Sequence, residues 1–227
     1  MNIAIVIPAL NEAESLPRLI AAIPNMAGCE MQVIVVNNGS TDETVAVAKK
    51  VGATVVTESR RGYGWACNAG VQAAASSDAI VFLDGDFSSD PAELPVLIQP
   101  LLEKRADMVL GSRLLSGAKQ AMLPHQHFGN WLTALLMRRL YRLTVTDLAP
   151  YRAVRTDLLN ALDLREMTYG YPTEMLAKAA RRHARILEVP VSCLPRLAGL
   201  SKVSGTVRGT VLSAYFILST ALRYARE

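Results

Sequence analysis

Short apolar runs alternate with amphipathic segments through the first half of the chain. Five runs are rich in β-branched residues and bounded by polar, Gly or Pro positions, as buried strands are: residues 3–7, 32–36, 54–57, 79–83 and 108–110. The segments between them have helical apolar spacing and predict helices over residues 12–22, 41–51, 65–75 and 91–103. This alternation predicts an α/β fold, with a doubly wound, mostly parallel sheet flanked by helices.

The second half of the chain is predicted to be more helical. Its apolar spacing indicates one short strand over residues 186–191 and four helices, over residues 131–143, 155–162, 173–182 and 207–224. The chain has no Gly/Ser-rich joint between the halves and no internal repeat. We therefore expect one domain over residues 1–227, in which the helical C-terminal portion packs on the sheet and forms one wall of a cleft.

Composition narrows the class of protein. Apolar residues make up 51% of the 227 residues and charged residues 19%, which fits one folded core that is slightly more apolar than usual. The net charge of +4 suits a polyanionic substrate, nucleic acid or an anionic membrane, and a solvated basic surface explains it equally well. Three scattered cysteines without a CxxC pair, and a strand-like N-terminus in place of a secretory signal, predict a cytoplasmic protein.

Polar residues follow three of the predicted strands. These segments are Pro8-Ala9-Leu10-Asn11-Glu12, Asn37-Asn38-Gly39-Ser40-Thr41-Asp42 and Asp84-Gly85-Asp86. Because ligands of open α/β sheets bind beyond the carboxyl ends of the strands, we expect these segments to meet at one rim. The two carboxylates beside Gly85 suit a hard divalent cation that also bridges substrate phosphates. A DxD sequence alone is more often a solvated turn than a metal site, and its position among the other polar strand ends is what favours the metal site.

The amides of Asn37 and Asn38 have two explanations. They can hydrogen-bond the edge of a nucleotide base, or they can form a turn that caps the helix starting near Thr41. Arginines in loops add to the evidence for phosphate binding, because guanidinium groups match phosphate oxygens and stabilise a departing diphosphate. These arginines are Arg60, Arg61 before Gly62, Arg113, Arg152 and Arg196, the last of them followed by Ser201-Lys202.

The ordered strand-end segments resemble the family 2 glycosyltransferases with the GT-A fold. Further segments resemble the polyprenyl-phosphate branch of that family, which includes the dolichol-phosphate mannose and glucose synthases: Gly111-Ser112-Arg113, Asp147 with Tyr151-Arg152, Gly170-Tyr171-Pro172-Thr173-Glu174-Met175, and Glu188-Val189-Pro190 before Arg196 and Ser201-Lys202. The chain departs from the family at Asn37-Asn38, where two Asp are usual. It also departs at Ser88, where a Gln often holds the metal, and at Ala149-Pro150, where Ser-Gly is usual.

The resemblance implies an inverting, metal-dependent transfer of a sugar from a UDP- or GDP-sugar, without a nucleic-acid partner. It implies that Asp84 and Asp86 hold Mg²⁺ or Mn²⁺, and that Asp86, Arg113 and Glu174 are catalytic. The nucleotide-sugar-binding half would be residues 1–115, with Pro8, Asn11, Glu12, Asn37, Asn38, Arg61, Gly62 and Asp84. The acceptor-binding half would be residues 116–227, with Asp147, Arg152, Arg196, Ser201 and Lys202.

The acceptor is predicted from one substitution. Family 2 enzymes that act on sugar hydroxyls commonly carry Glu-Asp at the start of the later helix, where the Asp is the general base, whereas this chain has Glu174-Met175. A phosphate monoester is already anionic near neutral pH and needs no base, which favours a polyprenyl phosphate. Two alternatives remain open: a soluble hydroxyl acceptor with Asp147 or Glu174 as base, and a nucleotide-sugar-binding protein without catalysis.

The surplus of apolar residues lies in two predicted helices. Residues 131–143 combine Trp, Leu and Met with three arginines, and residues 211–222 form an apolar run too short to span a bilayer. One explanation is peripheral docking at the inner face of the membrane. The other is that both helices pack on the domain itself or on a second copy of the chain.

Overall fold

Seven strands form the centre of the computed structural model, which describes residues 1–117, 124–148, 150–199 and 206–225. The strands are β1 (Asn2–Ala9), β2 (Glu30–Asn37), β3 (Thr54–Thr57), β4 (Ala79–Phe82), β5 (Met108–Ser112), β6 (Arg152–Arg155) and β7 (Ile186–Pro190). They form one sheet in the order β3-β2-β1-β4-β6-β5-β7. All pairs are parallel except those of β6, which runs antiparallel to both β4 and β5.

Eight helices surround the sheet in the described part of the chain. They are α1 (Leu16–Ala21), α2 (Thr44–Lys50), α3 (Tyr63–Ala73), α4 (Leu94–Leu102), α5 (Pro124–Tyr141), α6 (Thr156–Ala161), α7 (Tyr171–Arg181) and α8 (Val207–Arg223). A 3-10 turn, Pro91–Glu93, precedes α4 and is capped by Asp90, whose carboxylate accepts a hydrogen bond from the Ala92 N–H. Among the described residues, no helix is both long enough and apolar enough to cross a membrane.

Apolar side chains cover both faces of the sheet, because successive residues of a strand point to opposite sides. On one face, Ala4 and Val6 of β1 pack with α3 and with the helices of the second half. On the other face, Ile3, Ile5 and Ile7 pack with α1, α2 and α4. The predicted α/β class, with a mostly parallel sheet between helices and a helical C-terminal portion, is confirmed.

Strand β6 is the main difference from the sequence-based prediction, which placed no strand at residues 152–155. Its sequence, Arg-Ala-Val-Arg, is too short and too polar to be recognised as a buried strand. The strand forms because β4 and β5 supply hydrogen-bonding partners on both of its edges. Helix α1 is also shorter than predicted, since residues 10–15 form a loop of the candidate site.

Gly70 allows α3 to approach β1 closely. A Cβ atom at position 70 would overlap Val6 Cγ1 and would lie 3.1 Å from Val36 Cγ2. Gly129 of α5 is a matched helical glycine, at which an added Cβ meets no described atom within 4 Å. Alanine substitutions at the two positions therefore distinguish the destabilisation caused by overpacking from the stabilisation caused by better helix propensity.

We expect Gly70→Ala to lower the free energy of unfolding by about 1–3 kcal/mol, because overpacking outweighs the better helix propensity of alanine. Gly129→Ala should instead raise it by up to about 1 kcal/mol. Urea denaturation followed by circular dichroism measures both changes. Equal stabilisation by the two substitutions would show that α3 and β1 are not in close contact.

Candidate active site

Three loops meet at the carboxyl edge of the parallel strands β1, β2 and β4. Asn11 Oδ1 accepts a hydrogen bond from the Thr41 N–H at 2.8 Å, and the Asn11 N–H donates to Ser40 Oγ at 3.0 Å. The Ser15 hydroxyl lies 2.6 Å from the Gly85 carbonyl oxygen, joining the first loop to the third. The strand-end segments singled out in the sequence therefore share one rim.

Asn37 and Asn38 fix this rim from within. Asn37 Oδ1 accepts from the Ser40 N–H at 2.9 Å, which closes the turn after β2. Asn38 Nδ2 donates to the carbonyl oxygens of Glu58 and Arg60 at 3.0 and 2.8 Å. Both amides are buried and engaged with backbone, so the turn-forming explanation holds, and contact of either amide with a nucleotide base stays a prediction.

Gly62 and Arg61 stand at the start of α3, on the same rim. The Gly62 N–H donates to Asn38 Oδ1 at 3.0 Å, and the residue has a φ of +150° that favours glycine. A Cβ at Gly62 would lie only 2.7 Å from the Met167 carbonyl oxygen. The exposed Arg61 side chain lies over Gly39, in reach of a ligand at the rim.

Asp84 and Asp86 place two carboxylates at the end of β4. The Tyr63 hydroxyl donates to Asp84 Oδ1 at 3.3 Å. Burial, and next to it the negative charge of Asp86, raise the pKa of Asp84 to about 7, against the lowering influence of Tyr63 and two arginines. Because the two like charges destabilise each other, a cation at this position is favoured.

Arg196 supplies positive charge to the rim from the loop after β7. Its Nη1 donates to Asp86 Oδ2 at 2.5 Å, and its Nη2 donates to Glu12 Oε1 at 2.9 Å. The Leu197 N–H donates to the Asp86 carbonyl oxygen at 3.1 Å, which holds the same loop against the acidic segment. Arg196 therefore belongs to the site, whereas Ser201 and Lys202 lie outside the described residues.

The donor set fits a divalent cation that shares its ligands with a substrate. Among the described residues, no three His, Cys, Asp or Glu side chains converge as a complete metal site. Mg²⁺ and similar hard cations are commonly held by one or two carboxylates, with water and phosphate oxygens filling the other positions. Asp84 and Asp86 match this pattern, and Ser88 contributes its N–H to Asp86 Oδ1 at 2.9 Å.

Arg113, just beyond β5, is held in one orientation. Its Nε and Nη2 donate to the two oxygens of Asp147, each at 2.8 Å, and its N–H donates to Asp147 Oδ2 at 3.0 Å. Asn130 of α5 donates to Asp147 Oδ1 at 2.8 Å. Glu188 accepts the Asp147 N–H at 3.1 Å. Four hydrogen bonds, three from Arg113 and one from Asn130, therefore fix this buried carboxylate and, through it, the Arg113 guanidinium.

Arg152 and Glu174 are placed differently from the prediction. Arg152 is not in a loop but begins β6, where burial lowers the pKa of its guanidinium against the influence of Tyr63, Cys67 and Asp84. It carries a buried positive charge that lowers the pKa of Asp84, and its contact with an acceptor stays a prediction. Glu174 is fully buried, and its carboxylate accepts the N–H groups of Arg165 and Glu166 and pairs with Lys178. This placement argues for a structural role and against the predicted catalytic one.

Three site residues were missed by sequence reasoning. Ser15 and Asn130 have no sequence signal, since each is an ordinary polar residue in an amphipathic segment. Tyr63 had a weak signal, because it lies between two glycines next to Arg60 and Arg61. All three act through partners distant in sequence.

An α/β fold with paired carboxylates and fixed arginines at the strand ends is typical of enzymes that bind a phosphate-bearing substrate together with a metal ion. The glycosyl transferase family 2 model matches residues 4–163, and the chain belongs to that family. It is therefore a glycosyltransferase, and the predicted resemblance is confirmed.

Two relatives and one solved structure are similar to most of the chain. An uncharacterised glycosyltransferase of Mycobacterium tuberculosis is 41% identical over 212 residues, which cover 93% of this chain and 94% of the relative. The undecaprenyl-phosphate mannosyltransferase of Micrococcus luteus is 34% identical, covering 92% and 90%. Glucosyl-3-phosphoglycerate synthase of M. tuberculosis, solved with Mn²⁺, UDP-glucose and phosphoglyceric acid, is 25% identical with a TM-score of 0.77, covering 99% and 79%.

The raised pKa of Asp84 predicts a pH-dependent cost to stability in the metal-free protein. A carboxyl whose pKa rises from 3.8 to about 7 on folding binds its proton more tightly in the folded state, so stability falls as the pH rises through that window. In EDTA, we expect Asp84→Asn to increase the free energy of unfolding by roughly 1–3 kcal/mol at pH 8 and very little near pH 4.

Urea denaturation at several pH values measures this difference. Asp157→Asn is the control, because the Arg155 hydrogen bond lowers the pKa of Asp157 and its removal should not stabilise the protein at pH 8. If Asp84→Asn changes the free energy of unfolding equally at pH 4 and pH 8, the surroundings of Asp84 do not destabilise its charged form.

Proposed function

We propose that the protein transfers a hexose from a nucleoside diphosphate sugar to a polyprenyl phosphate, with inversion at the anomeric carbon and with Mg²⁺ or Mn²⁺. The similarity to an undecaprenyl-phosphate mannosyltransferase over nearly the whole chain supports the acceptor. The metal and a UDP-sugar donor are supported by the related structure that holds Mn²⁺ and UDP-glucose. The division into a donor half, residues 1–115, and an acceptor half, residues 116–227, belongs to the same proposal.

The observation that carries the acceptor proposal is the engagement of the carboxylates in the second half. The Asp147 side chain has no exposed surface and is paired with Arg113. Glu174 is equally buried and binds backbone N–H groups. Neither carboxylate is open to take a proton from a hydroxyl acceptor, whereas a phosphate monoester is a nucleophile without a base. This favours a phosphate acceptor over a hydroxyl acceptor that uses Asp147 or Glu174.

In the proposed reaction, a phosphate oxygen of the acceptor attacks the anomeric carbon while the bond from that carbon to the diphosphate breaks. The nucleoside diphosphate leaves with the bonding electron pair. Arg113 stabilises negative charge in a fixed orientation, because Asp147 and Asn130 hold it before substrate arrives. When bound at Asp84 and Asp86, the divalent cation supplies further positive charge to the leaving diphosphate.

The remaining predicted residues line the proposed donor site, hold its shape or supply positive charge to it. Asn11, Glu12, Arg61 and Gly62 line the donor rim with Pro8, and Asn37 and Asn38 hold that rim in shape. Arg196 joins Glu12 to Asp86 and is positioned to exchange a carboxylate partner for a phosphate oxygen. Arg152 supports Asp84 from behind, and Ser201 and Lys202 remain predicted phosphate ligands.

Purified protein with Mn²⁺ or Mg²⁺, a panel of UDP- and GDP-sugars, and undecaprenyl phosphate should form a lipid-linked hexose. The product is detected by mass spectrometry, and its anomeric configuration by NMR. EDTA should abolish transfer, as should Asp86→Asn. Phosphoglyceric acid is tested as a second acceptor, because the related solved structure contains it. Transfer to phosphoglyceric acid alone would overturn the lipid acceptor, and binding of donors without transfer would favour the non-catalytic alternative.

Arg113→Ala should lower kcat/KM for the lipid phosphate by about 10²–10³-fold, because it removes a preorganised charge from the transition state. Arg113→Lys should recover only part of this loss, since lysine cannot make the bidentate pair with Asp147. Arg105→Ala, which removes an exposed arginine paired with Glu103, is the matched control and should leave kcat/KM unchanged. An equal loss in the control would indicate a general effect of positive charge.

A further inference from the structure

Helix α8 presents an apolar stripe to solvent. Val211 and Tyr215 are 62% and 64% exposed, and Leu222 is also exposed. Positions 211, 215 and 222 lie on one face of a helix, because they are separated by four and seven residues. In the described part of the chain, nothing covers this stripe. Aligned exposure of large apolar side chains marks an interaction surface.

Helix α5 exposes an aromatic residue and arginines on one face. Trp131 is 59% exposed, and Arg138 and Arg139 follow it by two helical turns on the same side. Thr133 and Met137 are buried on the opposite side, where α5 packs on the core. The outer face of α5 therefore combines an amphipathic ring with a positive cluster, and this pair is typical of peptide segments at a membrane surface.

The two helices are neighbours, and one of them borders the active site. The Tyr141 hydroxyl at the end of α5 donates to the Ala221 carbonyl oxygen of α8 at 2.5 Å. Asn130, immediately before Trp131, donates to the Asp147 carboxylate that holds Arg113. The exposed residues Trp131, Arg138, Arg139, Val211, Tyr215 and Leu222, termed here the α5/α8 surface, thus belong to the part of the fold that carries the acceptor half.

We propose that the α5/α8 surface docks on an anionic lipid bilayer. Neither helix contains an acidic residue, so no carboxylate of α5 or α8 neutralises Arg138 and Arg139. These arginines can therefore attract anionic headgroups. Trp131 and Tyr215 suit the interface between headgroups and acyl chains, where amphipathic rings are stable. A second copy of the chain fits less well, because neither helix carries an acidic residue, so two copies of this surface lack charge complementarity.

Docking is independent of the chemistry proposed above, since it depends on lipid headgroups and not on a polyprenyl phosphate. The test therefore uses sucrose-loaded vesicles without polyprenyl phosphate, made of phosphatidylcholine alone or with phosphatidylglycerol added. Wild-type protein should sediment with the anionic vesicles and much less with the neutral ones. Added salt should weaken the binding, because it screens the arginines.

Two pairs of variants separate the contributions of charge and apolar surface. Arg138→Glu with Arg139→Glu should lower the partition coefficient at least about tenfold. Lys49→Glu with Lys50→Glu, at the end of α2, makes the same change in net charge on the opposite face of the sheet and should have much less effect. Trp131→Ser with Tyr215→Ser should also weaken binding about tenfold, whereas Val96→Ser, at an exposed valine of α4, should not.

A fluorescence measurement keeps Trp131 in place, so its result does not depend on the folding of the variants that lack Trp131. The chain has two tryptophans, so the Trp65→Phe variant reports Trp131 alone, and brominated lipids in anionic vesicles should quench it. The proposal is overturned if wild-type protein does not bind anionic vesicles, if brominated lipids leave Trp131 unquenched, or if the control variants bind as poorly as the surface variants. Light scattering that shows a dimer dissociated by Tyr215→Ser would assign the surface to a second copy instead.

Discussion

The placement of two carboxylates at the end of β4, with Asp86 buried and Asp84 half-buried, is the constraint around which the site is built. Asp84 and Asp86 repel each other, and the pKa of Asp84 rises to about 7 because burial adds to that repulsion. Positive charge opposes this cost, because Arg113 and Arg152 lower the pKa of Asp84 and Arg196 pairs with Asp86. A cation-binding site that is costly without its cation gains the most from binding one, and this links the fold to the use of a metal and a diphosphate.

Features that depend on local sequence could be predicted, whereas features that depend on contacts between distant residues could not. The strand-end segments around Asn11 and Asp86 were predictable, because strand identity is local and parallel strands place their carboxyl ends on one edge. Strand β6 was not, since it depends on β4 and β5 as partners and carries little apolar signal of its own. The placement of Arg152 in a loop was wrong for the same reason, since the sheet buries this residue, and its predicted contact with substrate stays a prediction.

Glu174 and Asn130 show that a sequence motif does not by itself tell which residues lie at the site. Glu174 follows a Gly-aromatic segment typical of the family, yet its carboxylate organises the backbone of residues 165 and 166. Asn130 carries no signal at all, yet it fixes the carboxylate that orients Arg113. A residue type states which bonds a side chain can make, whereas tertiary packing decides which partner is present to make them.

The Asn130–Asp147–Arg113 chain of hydrogen bonds also joins the active site to the outer face of the molecule. Asn130 and Trp131 are adjacent residues of α5, so the position of the helix determines both the exposed indole and the amide that holds Asp147. Asp147 cannot relax independently, because Glu188 of β7 holds its N–H and Arg113 takes both of its oxygens. Helix α5 therefore contributes, through Asn130 and Asp147, to the orientation of the Arg113 guanidinium.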